Sequence, residues 1–424
     1  MNKKILIGIF ILLIISLTTA GAVAFLRPYD PLTPPKVNDD GFTVEGIKEV
    51  ANANNKFAFD FYKQLTKESD DIFFSPYSIS SALAMTYEGA NGETAQEMKQ
   101  VLHFPDTEIL RPNFASIYNT INKKEKKYEL RTGNALWVQK DYKFLPGYFT
   151  TVENYYGGKA VNLDFVNETE LSRNTINTFI EEQTNNRIKE LLPQGSLGAD
   201  TRLVLTNAIY FKGSWKDEFE KKNTKERDFK TPTGTIQVPM MFMAPKSELK
   251  FNYFENEELQ AIELPYKDKE LSMIIFLPKS EDGLSNLENE MDFEKFSEWI
   301  SNLKSTIVDE IYFPKFEFEI FTEVVGPLKE LGMSTAFYSG SADFSKITGN
   351  VDLYISDTLH KAFIKVDEEG TEAAAATAVI MGTTSAGPEL QKVIFKADHP
   401  FMFLIKENST GTILFMGRIT DPSS

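Results

Sequence analysis

A nucleophilic enzyme needs a hydroxyl or thiol held beside a base, and this 424-residue chain offers few such arrangements. It has no cysteine, which excludes thiol catalysis and any disulfide framework. Its three histidines, His103, His360 and His399, are far apart and lack the HExxH spacing of a zinc site. In Gly382-Thr383-Thr384-Ser385-Ala386-Gly387 the serine falls one place too late for G-x-S-x-G, and the surroundings read as loop rather than a strand-to-helix elbow. S-x-x-K spacings at Ser301/Lys304 and Ser247/Lys250 stand without their companion motifs, and no Gly-rich phosphate loop occurs. Hydrolase and NTPase chemistry are therefore set aside.

What remains is residues 368–381, Glu368-Glu369-Gly370-Thr371-Glu372-Ala373-Ala374-Ala375-Ala376-Thr377-Ala378-Val379-Ile380-Met381, where local preferences conflict. Four alanines favour helix, yet they run into β-branched Val379 and Ile380. An Ala-rich helix capped by Thr371 is one reading. As a strand, the segment would turn Thr371, Ala373, Ala375, Thr377, Val379 and Met381 to one side, and Glu372, Ala374, Ala376, Ala378 and Ile380 to the other. Its small residues would let it slide into a sheet, where bulky or charged ones at Thr371, Ala373 or Ala375 would obstruct. Both readings stay open at this level.

The elements that must position this segment belong to a chain that can bury a large core, with 42% hydrophobic residues. A net charge of -16 argues against nucleic acid as a partner. The basic cluster Lys123-Lys124-Glu125-Lys126-Lys127 reads as a solvated helix end. Asn2-Lys3-Lys4 precedes an uncharged apolar run over residues 5–26, so residues 1–26 read as a signal peptide or a signal anchor. Small residues at Ala20, Ala22 and Ala24 offer cleavage sites; either way the bulk of the chain is expected outside the cell, secreted or held on the outer face of the membrane. Pro28, Pro31, Pro34 and Pro35 mark residues 27–45 as an extended linker, and residues 46–424 as one domain.

Within that domain, Phe57, Phe61 and Leu65 mark a first helix, Ser75-Pro76 opens a second that stops at Gly89, and Thr94 with Glu97 reads as the capping box of a third ending near His103. Apolar runs at residues 203–205, 209–211 and 271–277 read as buried strands, and residues 401–405 and 412–416 as a hairpin. Helices in one block and antiparallel strands in another give an α+β class.

Gly370-Thr371-Glu372-Ala373-Ala374-Ala375-Ala376-Thr377-Ala378 resembles the proximal hinge of the inhibitory serpins. Phe74-Ser75-Pro76-Tyr77-Ser78-Ile79-Ser80, Asn207-Ala208-Ile209-Tyr210-Phe211-Lys212-Gly213-Ser214-Trp215, Leu359-His360-Lys361-Ala362 and Ala397-Asp398-His399-Pro400-Phe401 are similar to further signatures of that superfamily, in its order. The resemblance covers roughly residues 46–421. It implies a serpin fold, eight or nine helices around three β-sheets with an exposed reactive-centre loop, and a monomeric suicide substrate rather than an enzyme. A target serine protease would attack the loop and be trapped as a covalent 1:1 acyl complex while the cleaved loop enters the central sheet. No cofactor is implied, and the membrane enters only through residues 5–26 if they are retained.

Counted fourteen positions from Gly370, as the resemblance implies, the attacked carbonyl belongs to Thr384 and the leaving side to Ser385, with Thr383 or Ala386 as alternatives because the loop before Pro400 is longer than in several relatives. Thr384 suits an elastase-like or subtilisin-like pocket better than a trypsin-like one. The resemblance places Glu368, Gly370, Thr371, Glu372, Ala373, Ala374, Ala375, Ala376 and Thr377 in the hinge. It places Ser75, Ser78, Asn207 and His360 in a polar shutter beneath the sheet, and Trp215 with a surface ion pair Lys315–Glu368 at the breach where the loop enters. A non-inhibitory serpin acting as carrier, chaperone or interaction protein is the alternative, against which the small hinge residues argue.

Overall fold

The computed structural model describes residues 34–423, apart from 68–70, 124–125, 246–248 and 372–391. The apolar N-terminal run, most of the alanine segment (Glu372, Ala373, Ala374, Ala375, Ala376 and Thr377) and the bond between Thr384 and Ser385 lie outside the described residues.

The first helix, Val44–Leu65, is capped by Thr43, whose hydroxyl accepts from the Gly46 N–H, and it buries Val50, Phe57, Phe61 and Leu65. Pro76–Tyr87 follows with Ser75 as its cap and Pro76 in the first turn, where a missing N–H costs nothing. The third helix, Gly92–Val101, corrects the capping-box reading. Its cap position is Asn91, and Thr94 and Glu97 turn instead to a distant loop. Thr94 Oγ1 accepts from the Asp343 N–H at 3.0 Å, and Glu97 Oε2 from the N–H groups of Ser334 and Thr335, both at 2.8 Å. The spacing was that of a capping box, but the donors come from 237 residues away.

Three sheets form the framework. The central one runs in the order Phe316–Glu323, Asp357–Asp367, Gly370–Thr371, Leu203–Ser214, Ala135–Gln139, Lys159–Leu163, with Tyr128–Thr132 also on Leu203–Ser214. The second, of seven antiparallel strands, contains the C-terminal hairpin Phe401–Glu407 and Ile413–Ile419 beside Leu271–Pro278. The third has four strands, Ile394–Lys396, Glu310–Pro314, Gly234–Met243 and Lys225–Thr231. The apolar runs at 203–205 and 209–211 are one strand, split in the sequence by Thr206 and Asn207, which are themselves fully buried.

That strand separates two apolar layers. Leu205, Ile209 and Phe211 face the main core with Ile364 and Val366 of its neighbour. Val204, Ala208 and Tyr210 face the opposite layer with Leu359, Phe363 and the helix Thr169–Gln183, through Ile176 and Ile180. A strand covered on both faces shows no alternation of polar and apolar residues.

The Thr94–Glu97 clasp is testable. Glu97→Ala should cost about 1 to 3 kcal/mol, because it orphans hydrogen-bond donors that a carboxylate now serves. The reading is a lower urea midpoint at unchanged slope; an unchanged midpoint refutes the clasp.

Candidate functional site

Strands Leu203–Ser214 and Asp357–Asp367 run parallel and pair directly, from Asp357 opposite Val204 to Phe363 opposite Tyr210. Beyond that point they are separated by Gly370–Thr371, which is antiparallel to both: Thr371 lies between Val366 and Gly213, and Gly370 between Asp367 and Ser214. Gly370 and Thr371, which lead into the alanine segment, are thus strand; the alanines themselves lie outside the described residues.

Glycine is needed here because a Cβ on Gly370 would meet the Gly213 carbonyl oxygen at 2.1 Å and Ser214 Cα at 2.6 Å. Its φ of 151° also disfavours an L side chain. Thr371 is fully buried, its hydroxyl 2.7 Å from that of Tyr266. Tyr266 stacks on Trp215, ring centroids 4.7 Å apart, and meets Phe211 edge-on. Burial pushes the Tyr266 hydroxyl far above its ordinary pKa, so it stays neutral and available to Thr371.

Trp215 holds the chain just before this point. Its indole N–H donates to the Asp367 carbonyl at 3.0 Å and its backbone N–H to the Glu369 carbonyl at 2.8 Å, while the Phe219 N–H donates to the Glu368 carbonyl at 2.9 Å. The Lys315–Glu368 pair is present at 2.9 Å, but it is not a surface pair. The Glu368 side chain is only 5% exposed against 34% for Lys315, and Glu368 Oε1 also accepts from the Thr224 hydroxyl at 2.7 Å. Burial works to raise the Glu368 carboxyl, yet the bonds from Lys315 and Thr224 outweigh it and hold the group below its ordinary range. Glu369, equally buried, pairs with Lys221 at 2.5 Å. Asp367 is pushed up by its burial.

Ser75, Ser78, Asn207 and His360 all come together, none with measurable exposure. Asn207 and His360 are opposite each other across the parallel pairing. The Ser75 N–H donates to His360 Nε2 at 3.0 Å, which leaves the proton on Nδ1, and Nδ1 donates to Asn207 Oδ1. Asn207 Nδ2 donates to Ser78 Oγ at 2.8 Å and to Asn134 Oδ1 at 3.0 Å. Ser75 Oγ donates to the Leu414 carbonyl of the second sheet at 2.6 Å and accepts from the Ser78 N–H at 3.1 Å, so this serine is both helix cap and network member.

Sequence reasoning does not single out Asn134, Tyr266, Thr224 or Lys221. Asn134 alone carries a local hint, a polar amide between Gly133 and the apolar strand Ala135–Gln139. The partners of the others are more than 100 residues away.

Among the described residues the histidines and Ser301 are each engaged elsewhere. His399 uses both ring nitrogens, on Asp398 and the Pro278 carbonyl, and His103 pairs with Asp60 at an exposed position. Ser301 Oγ donates to the Glu298 carbonyl. Among the described residues no three His, Asp or Glu side chains cluster as metal ligands would.

Comparison with known proteins gives a match to the family Serpin (serine protease inhibitor) over residues 52–422. An uncharacterized serpin-like protein of Methanosarcina acetivorans is 41% identical over 381 residues, 88% of this chain and 86% of that protein. The leukocyte elastase inhibitor of Xenopus tropicalis is 39% identical over 384 residues, 89% of this chain and all of that protein. Serpin48, a highly specific serpin of the insect Tenebrio molitor, superimposes with a TM-score of 0.78 at 34% identity, covering 88% of this chain and 98% of that one.

The buried imidazole makes a prediction of sign. Burial lowers the His360 pKa to about 3, so the folded state refuses a proton that the unfolded chain accepts near pH 6.5. Its contribution is fully present above about pH 6.5 and is lost as pH falls from there toward about 3. Between pH 7.5 and 5.5 the parent protein should lose about 1.4 kcal/mol more stability in urea than His360→Gln; equal losses would contradict this account.

Proposed function

The chain belongs to the serpin family, and we propose that it acts as a suicide-substrate inhibitor of serine endopeptidases with elastase-like or subtilisin-like pockets, outside the cell. The observation that carries this reading is the pair Gly370–Thr371 wedged between two otherwise parallel neighbours, the first rung of a strand that would lengthen as the pairs below it part. The elastase-like preference is supported by the small, uncharged Thr384 and by the name of the Xenopus relative.

In this mechanism the protease serine Oγ attacks the Thr384 carbonyl carbon, or that of Thr383 or Ala386. The bond to the following nitrogen breaks, the leaving amine takes up the proton, and an ester joins the two proteins. The freed segment then extends the rung. Continued in the same register, Ala373 would fall between Phe211 and Ile364, Ala375 between Ile209 and Ala362, and Thr377 between Asn207 and His360. Phe211, Ile364 and Ile209 already fill the core face, so only small side chains fit between them without displacing packed neighbours. Thr377 would arrive with a hydroxyl at the point where the His360–Asn207 bond is broken.

About fifteen inserted residues, each gaining roughly 1 kcal/mol of net hydrogen bonding before entropy is subtracted, compare with the 5 to 15 kcal/mol or so that hold a typical target folded. Capture is a race between insertion and hydrolysis of the ester, so the hinge side chains act on rate.

Incubation with elastase and with subtilisin should give a denaturant-resistant covalent complex. Plain cleavage without complex, the behaviour of a non-inhibitory serpin, sinks the proposal. Thr371→Arg should turn the protein into a substrate, because an ion does not fit the fully buried rung from which insertion would proceed. Circular dichroism checks that the variant is folded, and undiminished inhibition by it would refute strand insertion.

A further inference from the structure

The segment just ahead of the first helix is strapped to the body. Val37 is buried with Ala115 and Tyr118 of the helix Thr107–Ile121. Its N–H donates to Asn119 Oδ1 and its carbonyl accepts from Asn119 Nδ2, both at 3.0 Å. Six residues later the Thr43 N–H donates to Asn113 Oδ1 at 2.9 Å. The Asn38 N–H reaches the Asn154 carbonyl of the helix Pro146–Tyr156 at 2.7 Å. Followed backwards from Thr43 to Val37, the strap climbs from Asn113 to Asn119, toward the C-terminal end of its helix.

That end of the helix lies at the mouth of the central sheet. The Tyr128 hydroxyl donates to the Ile121 carbonyl at 2.7 Å, and Lys123 pairs with Glu270. Tyr128 is opposite Gly213, and Gly213 is opposite Thr371. The chain therefore leads toward its N-terminus from the same end at which the hinge enters.

Among the described residues no helix is long and apolar enough to cross a membrane, whereas residues 5–26 form an uncharged apolar run of spanning length. Between that run and Val37 lie residues 27–36, which reach at most about 35 Å even when fully extended. A compact body of about 390 residues is about 55 Å across. The tether is too short to let its attachment end stand on the far side of the body from the bilayer.

We infer that residues 5–26 are retained as an anchor and that the strap holds the hinge end of the molecule toward the membrane. The bait loop is then offered to a protease whose own active site stands close to the same bilayer. The choice of partner rests on the inhibitor reading above; the orientation does not.

Two measurements on the full chain in phosphatidylcholine vesicles separate these parts. Because the chain has no cysteine, Lys127→Cys at the hinge end and Glu108→Cys at the opposite end of the strapped helix each give a unique label on an exposed residue. Energy transfer to an acceptor lipid should be at least about twofold greater from position 127, since fifteen helical residues separate the two ends by about 22 Å. Equal or reversed transfer, or release of the protein from the vesicles by cleavage of the run, overturns the orientation.

For the partner, a flexible insert of about 20 Gly and Ser residues between Thr33 and Pro34 adds about 25 Å of mean reach. It should raise the rate of complex formation with soluble elastase several-fold on vesicles, leave it unchanged in detergent, and bring no gain against elastase anchored to the same vesicles. Equal rates on vesicles overturn the membrane-proximal target. Absence of complex in detergent as well would instead defeat the inhibitor reading, with the energy-transfer result standing.

Discussion

Two parallel strands, Leu203–Ser214 and Asp357–Asp367, meet along seven residue pairs and are held apart by two residues at one end. The rest of the molecule is arranged around that seam. One face of both strands is buried in the main core, and at Val204, Ala208, Leu359 and Phe363 a second apolar layer covers the other, so a strand entering the seam must match a core face that is already packed. Parallel pairing is slightly weaker per residue than antiparallel pairing, and a strand placed between the two exchanges one parallel ladder for two antiparallel ones. The native arrangement therefore leaves favourable pairing unmade.

What keeps it unmade is local. Asn207 and His360 are opposite each other across the seam and hydrogen-bonded to each other, with Ser75, Ser78 and Asn134 completing the network below. Parting the strands breaks that bond in a dry site, where an unpaired polar group costs about 1 to 3 kcal/mol. The neutrality of the imidazole matters: a charged ring would be stranded at every opening, whereas burial keeps it a simple donor and acceptor.

Much of this was legible in residue types. The Ser75-Pro76 cap and the block from Asn207 to Trp215 each pointed to an element that exists where described, and the α+β class followed from the ordering of apolar runs. The errors share a cause. Thr94 and Glu97 satisfy a local rule but serve a loop beyond residue 330, the strand through Thr206 and Asn207 reads as two because its polar residues are buried rather than exposed, and Glu368 reads as a surface acid although Lys315 and Thr224 enclose it. Sequence spacing reports neighbours within a helix or strand. It carries no signal for which polar group a distant segment will bring, and Asn134 and Tyr266 join their clusters only through such partners.

The two ends of the seam also differ in kind. At the mouth, the buried carboxylates of adjacent Glu368 and Glu369 each meet a solvent-facing lysine, and Trp215 and Phe219 fix the carbonyls of the same residues. Pulling a buried carboxylate away from its lysine would strand that charge, which costs more than parting a neutral hydrogen bond. Below the mouth the side-chain tie across the seam, His360 to Asn207, is neutral. Displacement should then begin below a fixed pivot, and a fixed pivot sets the register of whatever follows Thr371. On the proposed insertion, a single glycine at 370, where no Cβ fits, would determine which residues meet Phe211, Ile209 and finally Asn207.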